Sequence, residues 1–228
     1  MQQYFTETVL RKGDLLPLDE SVIYHLRKVL RKDNDYVFRI CDGKHRIFLA
    51  HLIDTSHCEI LEETREDNEL DCDITCILSL IKNDHFEYCI QKLVELGVKR
   101  IVAYQADRSV VKIRDEKKSE RLRRIALEAA EQSHRNLVPE ICTASRLQDL
   151  KQYMSEVNYL CYESEKQIKE IETGRSVTFV IGPEGGFTDR EYEGLCEMGF
   201  ESISLGKRIL RAETAAVCMC SILVSKCQ

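Results

Sequence analysis

Two short apolar runs near the C-terminus, each broken by glycine, constrain this chain more than any other feature. Val177 to Ile181 is a β-branched run that stops at Gly182-Pro183 and passes through Glu184 into Gly185-Gly186. A run of that kind, ended by Gly and Pro, reads as a buried strand that halts abruptly. The two further glycines let the backbone take left-handed conformations and approach a ligand with no Cβ in the way. Thr188 and Glu191 follow at the spacing of a helix capping box. The pattern then repeats, with Ser202 to Leu205 as a strand, Gly206 as its break, and a helix from about Ala212 to Lys226. Strand, glycine loop and helix in succession is how α/β proteins place a ligand beyond the carboxyl ends of their strands.

The ligand class is narrowed by what is missing. Neither GxxxxGK[ST] nor GxGxxG occurs, and Glu184 in the middle of the first loop would repel a phosphate. A purely structural turn is the other reading of a Gly-Gly pair. Two glycine-broken strands in close succession, the second followed by Arg211 and Glu213, favour a site.

From residue 72 onward strands and helices alternate, which argues for a mostly parallel sheet. Ile74 to Ile81 reads as a strand, and Phe86 to Leu96 as a helix with Gly97 at the position where a C′ glycine is expected. Ile101 to Tyr104 is a strand, Arg114 to His134 a long charged helix ended by Pro139, and Val157 to Tyr162 another strand. The first seventy residues differ in texture. Ser21 to Lys32 is helical in pattern, with Val22, Leu26, Val29 and Leu30 on one side. Tyr36–Ile40 and Arg46–Ala50, joined across Asp42-Gly43, read as a hairpin, and Cys58 to Leu61 as a further strand. The acidic stretch Glu62 to Glu69 reads as a linker. The division expected is a small β-barrel-like domain over residues 1–69 and an α/β domain over 70–228.

The net charge of −6 taken alone argues against a nucleic-acid partner, but distribution matters more than the sum. His25-Leu-Arg-Lys-Val-Leu-Arg-Lys32 holds four basic side chains and no acid, and Arg121, Arg123 and Arg124 form a second cluster. Solvated helix faces are the other reading of both. No apolar run approaches the length of a membrane span, and the residues from Met1 to Glu7 have no basic or apolar leader pattern. The eleven cysteines are odd in number and sit mostly in apolar segments, with no CxxC pair and no zinc spacing to the six histidines. Reduced core thiols in a cytoplasmic protein, without a metal, are therefore expected.

The stretches Gly182-Pro-Glu-Gly-Gly-Phe187 and Leu205-Gly-Lys-Arg-Ile-Leu-Arg-Ala-Glu-Thr-Ala215 resemble the RsmE family of 16S ribosomal RNA (uridine-N3) methyltransferases, in the SPOUT superfamily. Weaker matches run through Gln91–Val98, Arg108-Ser109 and Glu131–Arg135, and His25–Arg31 resembles the family's N-terminal HxxxVLR signature. The resemblance implies an α/β trefoil-knot domain behind a PUA-like RNA-binding β-barrel. It implies S-adenosylmethionine as cofactor, 16S ribosomal RNA of the small subunit as partner (uridine 1498 in the family), and a homodimer through the knot and the Cys218–Val224 end of the last helix. The cofactor would rest on Ile181, Gly182, Pro183, Glu184, Gly185 and Gly186, and on Leu205, Gly206, Ile209, Leu210 and Ala215. Arg211 and Glu213 are the candidates for handling the N3 proton and charge, an ion pair at a helix start being their other reading. His25, Arg27, Lys28, Arg31, Arg108 and Arg135 would meet RNA, with Arg108 and Arg135 also supporting Arg211 and Glu213.

Three positions depart from the family. Gln3-Tyr4-Phe5 stands where an arginine commonly precedes the Phe, Asn34-Asp35 replaces Gly-Asp, and Ala212 replaces a Thr. Two other readings remain beside this one: an RNA-binding assembly factor with a silent knot, and a small-molecule α/β enzyme.

Overall fold

Short antiparallel strands open the chain and a parallel sheet closes it. The structure is a computed structural model that describes residues 1–112, 116–165 and 170–227. It divides into two compact units, one of Met1–Glu69 with Ala130–Val138, the other of Leu70–Ala129 with Pro139–Gln228. The first unit thus recruits a segment from the middle of the chain.

In the first unit β1 (Gln3–Phe5), β2 (Leu15–Pro17), β3 (Val37–Cys41), β4 (Ile47–Leu52) and β5 (His57–Glu63) form one sheet in the order β1-β3-β4-β5-β2. All pairings are antiparallel except β1 with β3, and a register shift at Leu49/Ala50 bends the β4–β5 ladder. Alternate residues point inward, so Phe38, Ile40, Phe48, Ala50, Cys58 and Ile60 share one core with Tyr4 and Leu26. The end strands β1 and β2 are not paired with each other, leaving the barrel half open. The expected hairpin is present as β3 and β4.

The N-terminal helix differs from its pattern. It runs as α1 (Glu20–Tyr24), continues as a π-helical turn over His25–Val29, and ends at Arg31, whose φ is +53°. Leu26 is buried and Val22 and Leu30 pack on the core, but Val29 is exposed. The wider π turn rotates it off the packed face. The turn that follows carries its positive φ at Asp35 rather than at Asn34. The acidic stretch ends at the boundary between the two units and is partly built into the first. Glu62 and Glu63 belong to β5, while Glu63 pairs with Arg46, Glu66 with Arg39 and Glu69 with Arg135.

The second unit is a six-stranded sheet, entirely parallel, in the order β11-β9-β10-β6-β7-β8. Its strands are β6 (Asp73–Ser79), β7 (Arg100–Tyr104), β8 (Glu140–Ala144), β9 (Val157–Cys161), β10 (Ser176–Ile181) and β11 (Glu201–Ile203). The inner strands β6 and β10 are buried along nearly their whole length, which requires cover on both faces. One face packs Ile77, Val102, Leu160 and Val180 against Leu150 of a 3-10 segment (Leu147–Tyr153) and Leu195 of α4 (Asp189–Met198). On the other side α2 (Asn83–Glu95) packs against α5 (Ala212–Val224), and α5 also meets β6 and β10. The chain therefore builds an edge strand, β11, and then turns back toward the middle of the sheet. Such a return is what the expected knot requires.

Two helix ends deserve a physical account. After α2, Gly97 takes φ +92° while its N–H bonds Val94 O at 3.0 Å and the Val98 N–H bonds Leu93 O at 3.0 Å, a Schellman closure. The long helix α3 (Glu116–Gln132) stops well before Pro139; the Arg114 expected at its start lies outside the described residues. The same closure recurs with His134 at φ +58°, the His134 and Arg135 amides bonding Glu131 O and Ala130 O. A non-glycine residue is held there because His134 Nε2 meets Met1 O at 2.9 Å and Nδ1 meets Arg39 at 3.2 Å. Strand β8 was not legible from the pattern. All eleven cysteines are free, and no described helix is long and apolar enough to cross a membrane.

Candidate active site

Strand β10 ends at Ile181 and the backbone turns at once, with Gly186 N–H bonding Pro183 O at 2.9 Å. Gly186 takes φ +68°, and a Cβ there would lie 2.6 Å from a Glu163 carboxylate oxygen. At Gly182 a Cβ would lie 3.0 Å from the Phe187 ring. Glycine is needed at both positions for different reasons, conformation and a neighbour's carboxylate at one, an aromatic wall at the other. The loop is braced from outside. Arg108 Nη1 donates to Gly185 O at 3.1 Å and Phe187 O at 3.2 Å, and Glu184 Oε1 accepts the Lys82 N–H at 3.1 Å. Glu184 thus ties the loop to the start of α2.

Beyond the loop the capping box is formed. Thr188 Oγ1 accepts the Glu191 N–H, and Glu191 Oε2 accepts the Thr188 N–H at 3.0 Å. Glu191 is only 2% exposed, yet its other oxygen accepts from the Tyr104 hydroxyl at 3.0 Å and the Asp107 N–H at 2.9 Å. A buried carboxylate with this many donors is tolerable, and it welds α4 to the end of β7. Burial, with the charge of Glu191 beside it, pushes the Tyr104 hydroxyl well above its usual range.

After β11 the second loop is shaped by Ser204, whose hydroxyl donates to Gly206 O at 3.2 Å and accepts the Gly206 N–H at 3.3 Å. Gly206 takes φ +120°. Arg211, exposed, is the N-cap residue of α5, and Glu213 lies in the first turn.

Between the loops is a cavity of about 600 Å³, within the usual range for a small-molecule site. Every residue expected to hold the cofactor lines it except Gly185, and Arg211 and Glu213 line it too. The cavity also takes in residues that the sequence did not single out: Lys82 and His85 from α2 and its cap, Val110, Cys161 at the end of β9 with Tyr162 and Glu163 after it, Ser204 and Arg208. Glu213 Oε1 lies 3.2 Å from Nδ1 of His85. The cations Lys82, Arg208 and Arg211 and the carboxylates Glu163, Glu184 and Glu213 share the walls. The buried Cys89 thiol is pushed up to about 12, by desolvation first and by the charge of Glu213 second.

The residues expected to meet RNA separate into two kinds. Lys28 and Arg31 are exposed. Arg27 is instead a brace, donating to Lys32 O at 2.8 Å, Asn34 Oδ1 at 2.6 Å and Asp54 O at 2.5 Å. His25 Nδ1 is engaged with the Tyr4 hydroxyl at 2.9 Å. Arg108 is spent on the glycine loop, as above. Arg135 is a correction: it is 3% exposed, belongs to the first unit and is ion-paired with Glu69. A guanidinium enclosed and neutralised in this way offers no charge to a phosphate.

This geometry has close counterparts. Residues 68–224 match the RNA methyltransferase domain family. Ribosomal RNA small subunit methyltransferase E of Bacillus subtilis is 35% identical, the match covering 94% of this chain and 93% of the relative. The protein of the same name from Mesomycoplasma hyopneumoniae is 34% identical over 92% of each chain. The chain belongs to the ribosomal RNA small subunit methyltransferase E family. Among solved structures of that family, the Neisseria gonorrhoeae protein bound to S-adenosyl methionine superposes with a TM-score of 0.91 at 29% identity, covering 99% of this chain and 97% of that one. Family membership thus extends through both units, and the half-open sheet and the parallel sheet are the two parts of a methyltransferase E fold.

Proposed function

We propose that this chain methylates N3 of a uridine in 16S ribosomal RNA of the small ribosomal subunit, with S-adenosylmethionine as donor, and that it works in the cytoplasm as a homodimer. The observation that carries the reading is the cavity between the loops after β10 and β11, in a chain whose family includes a protein crystallised with that cofactor. The residues fit the group. Gly182 and Gly186 line the cavity with no side chain of their own, and the loop backbones offer amide donors and acceptors to an adenine edge. Leu210 and Ala215 give apolar walls to the remainder.

When bound, S-adenosylmethionine supplies a methyl group made electrophilic by its sulfonium. This chain's own residues must hold the uridine in line with it, keep water out and manage the N3 proton, because a protonated imide nitrogen is a poor nucleophile. The exposed guanidinium of Arg211 at the start of α5 is placed to stabilise negative charge on the imide. Lys28 and Arg31 in the first unit supply phosphate contacts, which makes residues 1–69 the RNA-binding domain and residues 70–228 the catalytic one. We take uridine 1498, the position that the resemblance implies, as the target nucleotide. A second copy is supported by Val110 and Ile209, apolar side chains 82% and 85% exposed at the cavity.

Calorimetric titration with S-adenosylmethionine, followed by nucleoside analysis of small subunits lacking the modification, tests the reading. Binding to the parent protein, its loss in Gly186→Val, and the appearance of 3-methyluridine are expected. A protein that binds the cofactor and leaves the uridine unmodified would overturn the catalytic assignment.

A further inference from the structure

The cavity holds an imidazole that stands on α2, far in sequence from both glycine loops. His85 is 36% exposed and its Nδ1 lies 3.2 Å from Oε1 of Glu213, which is itself 15% exposed. A carboxylate beside Nδ1 favours the tautomer that carries its proton there, which leaves the Nε2 lone pair as the acceptor. Asp84 Oδ2 lies 3.7 Å from Nε2, beyond hydrogen-bond distance. We infer that His85, oriented by Glu213, is the base that removes the N3 proton of the target uridine. This rests on the reading of the cavity as the methylation site.

The other titratable groups at the cavity do not serve. Lys82, Arg208 and Arg211, which line the same cavity, are cations. Glu184 is committed to the Lys82 N–H. Glu163 is packed against Gly186 at the first loop, and Tyr162 is stacked on Tyr192 with ring centroids 4.4 Å apart. The Cys161 thiol is driven far up by burial, so it carries no charge at neutral pH.

The step balances. The N3–H bond breaks and its proton passes to Nε2 of His85. The N3 electron pair forms the N–CH3 bond as the S–CH3 bond of the donor breaks, and that bond's electron pair stays on sulfur as a neutral thioether. The imidazolium, paired with Glu213, returns its proton to solvent through the exposed side of the ring.

The test compares the full-length protein with His85→Gln and Glu213→Gln, measuring cofactor affinity, single-turnover methylation of small subunits, and the rate against pH. A positioned base contributes roughly 10²-fold or more. His85→Gln is expected to lower the methylation rate about 10²-fold, to leave S-adenosylmethionine affinity within about threefold of the parent, and to change the shape of the rate–pH profile. Glu213→Gln is expected to slow the reaction less and to add no further loss to His85→Gln, since it acts through that ring. Parent-like rate and pH profile in His85→Gln would overturn the inference while leaving the methyltransferase reading intact. A parent protein that makes no 3-methyluridine would overturn that reading, and the inference with it.

Discussion

Arg108 Nη1 lies 3.1 Å from the carbonyl oxygen of Gly185, a residue 77 positions away, and one more bond from the same nitrogen reaches Phe187. The loop that walls the cavity is therefore held by a side chain outside it. Arg108→Ala should keep the fold and raise the dissociation constant for S-adenosylmethionine about tenfold, the loss of roughly one charge-assisted bond at an exposed position. Calorimetry checks it, and an unchanged constant would show that the loop keeps its shape alone.

Glu191 is the most heavily committed buried carboxylate in the second unit. Glu191→Ala leaves the Tyr104 hydroxyl and the Asp107 amide without their acceptor and removes half of the capping box. A loss of about 3 kcal/mol is expected in chemical denaturation. Thr188→Ala, which removes the cap and the hydroxyl's weak bond to Asp107 but leaves Glu191 its other donors, should cost about 1 kcal/mol.

The basic N-terminal helix gives a prediction in which neighbouring arginines behave differently. Reversing Lys28 and Arg31 to Glu should weaken binding to small-subunit RNA and reduce the slope of log affinity against log salt by about 2, with no change in melting temperature. Arg27→Glu should instead lower the melting temperature, because it breaks three bonds to Lys32, Asn34 and Asp54. Equal effects on RNA binding from both changes, at equal stability, would remove the distinction.

Asp54 supplies a pH dependence with a definite sign. Hydrogen bonds from Ser56 first, and from His57, hold its carboxyl at about 2, below its usual 3.8. A carboxyl whose folded value is depressed stabilises the fold fully above its ordinary value and loses that contribution as pH falls toward 2. The stability difference between the parent and Asp54→Asn should therefore be constant from pH 7 to about 5 and shrink below about 4. Carbon-detected titration of the Asp54 side chain locates the midpoint directly.

Local chemistry made much of this protein legible before its structure. Gly182, Gly185 and Gly186 announce a loop that approaches something, and Thr188 with Glu191 fixes where α4 begins, because both signals act over a few residues. The errors came where partners are distant in sequence. Arg135 reads as a free cation until Glu69 is beside it, and Arg27 until Asn34 and Asp54 are. His85 carries no spacing signal at all, its partner Glu213 lying on another helix. The end of α3 was misplaced because the left-handed residue there is His134 rather than a glycine. Strand β8, at a sheet edge, has little apolar content to mark it.

The return of α5 to the middle of the sheet has a consequence for the newborn chain. Four walls of the cavity come from α2, the segment after β9, and the loops after β10 and β11, and the last comes from α5. Synthesis delivers them in that order, N-terminal parts first. The half-open sheet and the first strands of the parallel sheet can form while translation continues, but residues 204–224 are needed before the cavity exists. The chain thus gains its pocket only after that segment has been made.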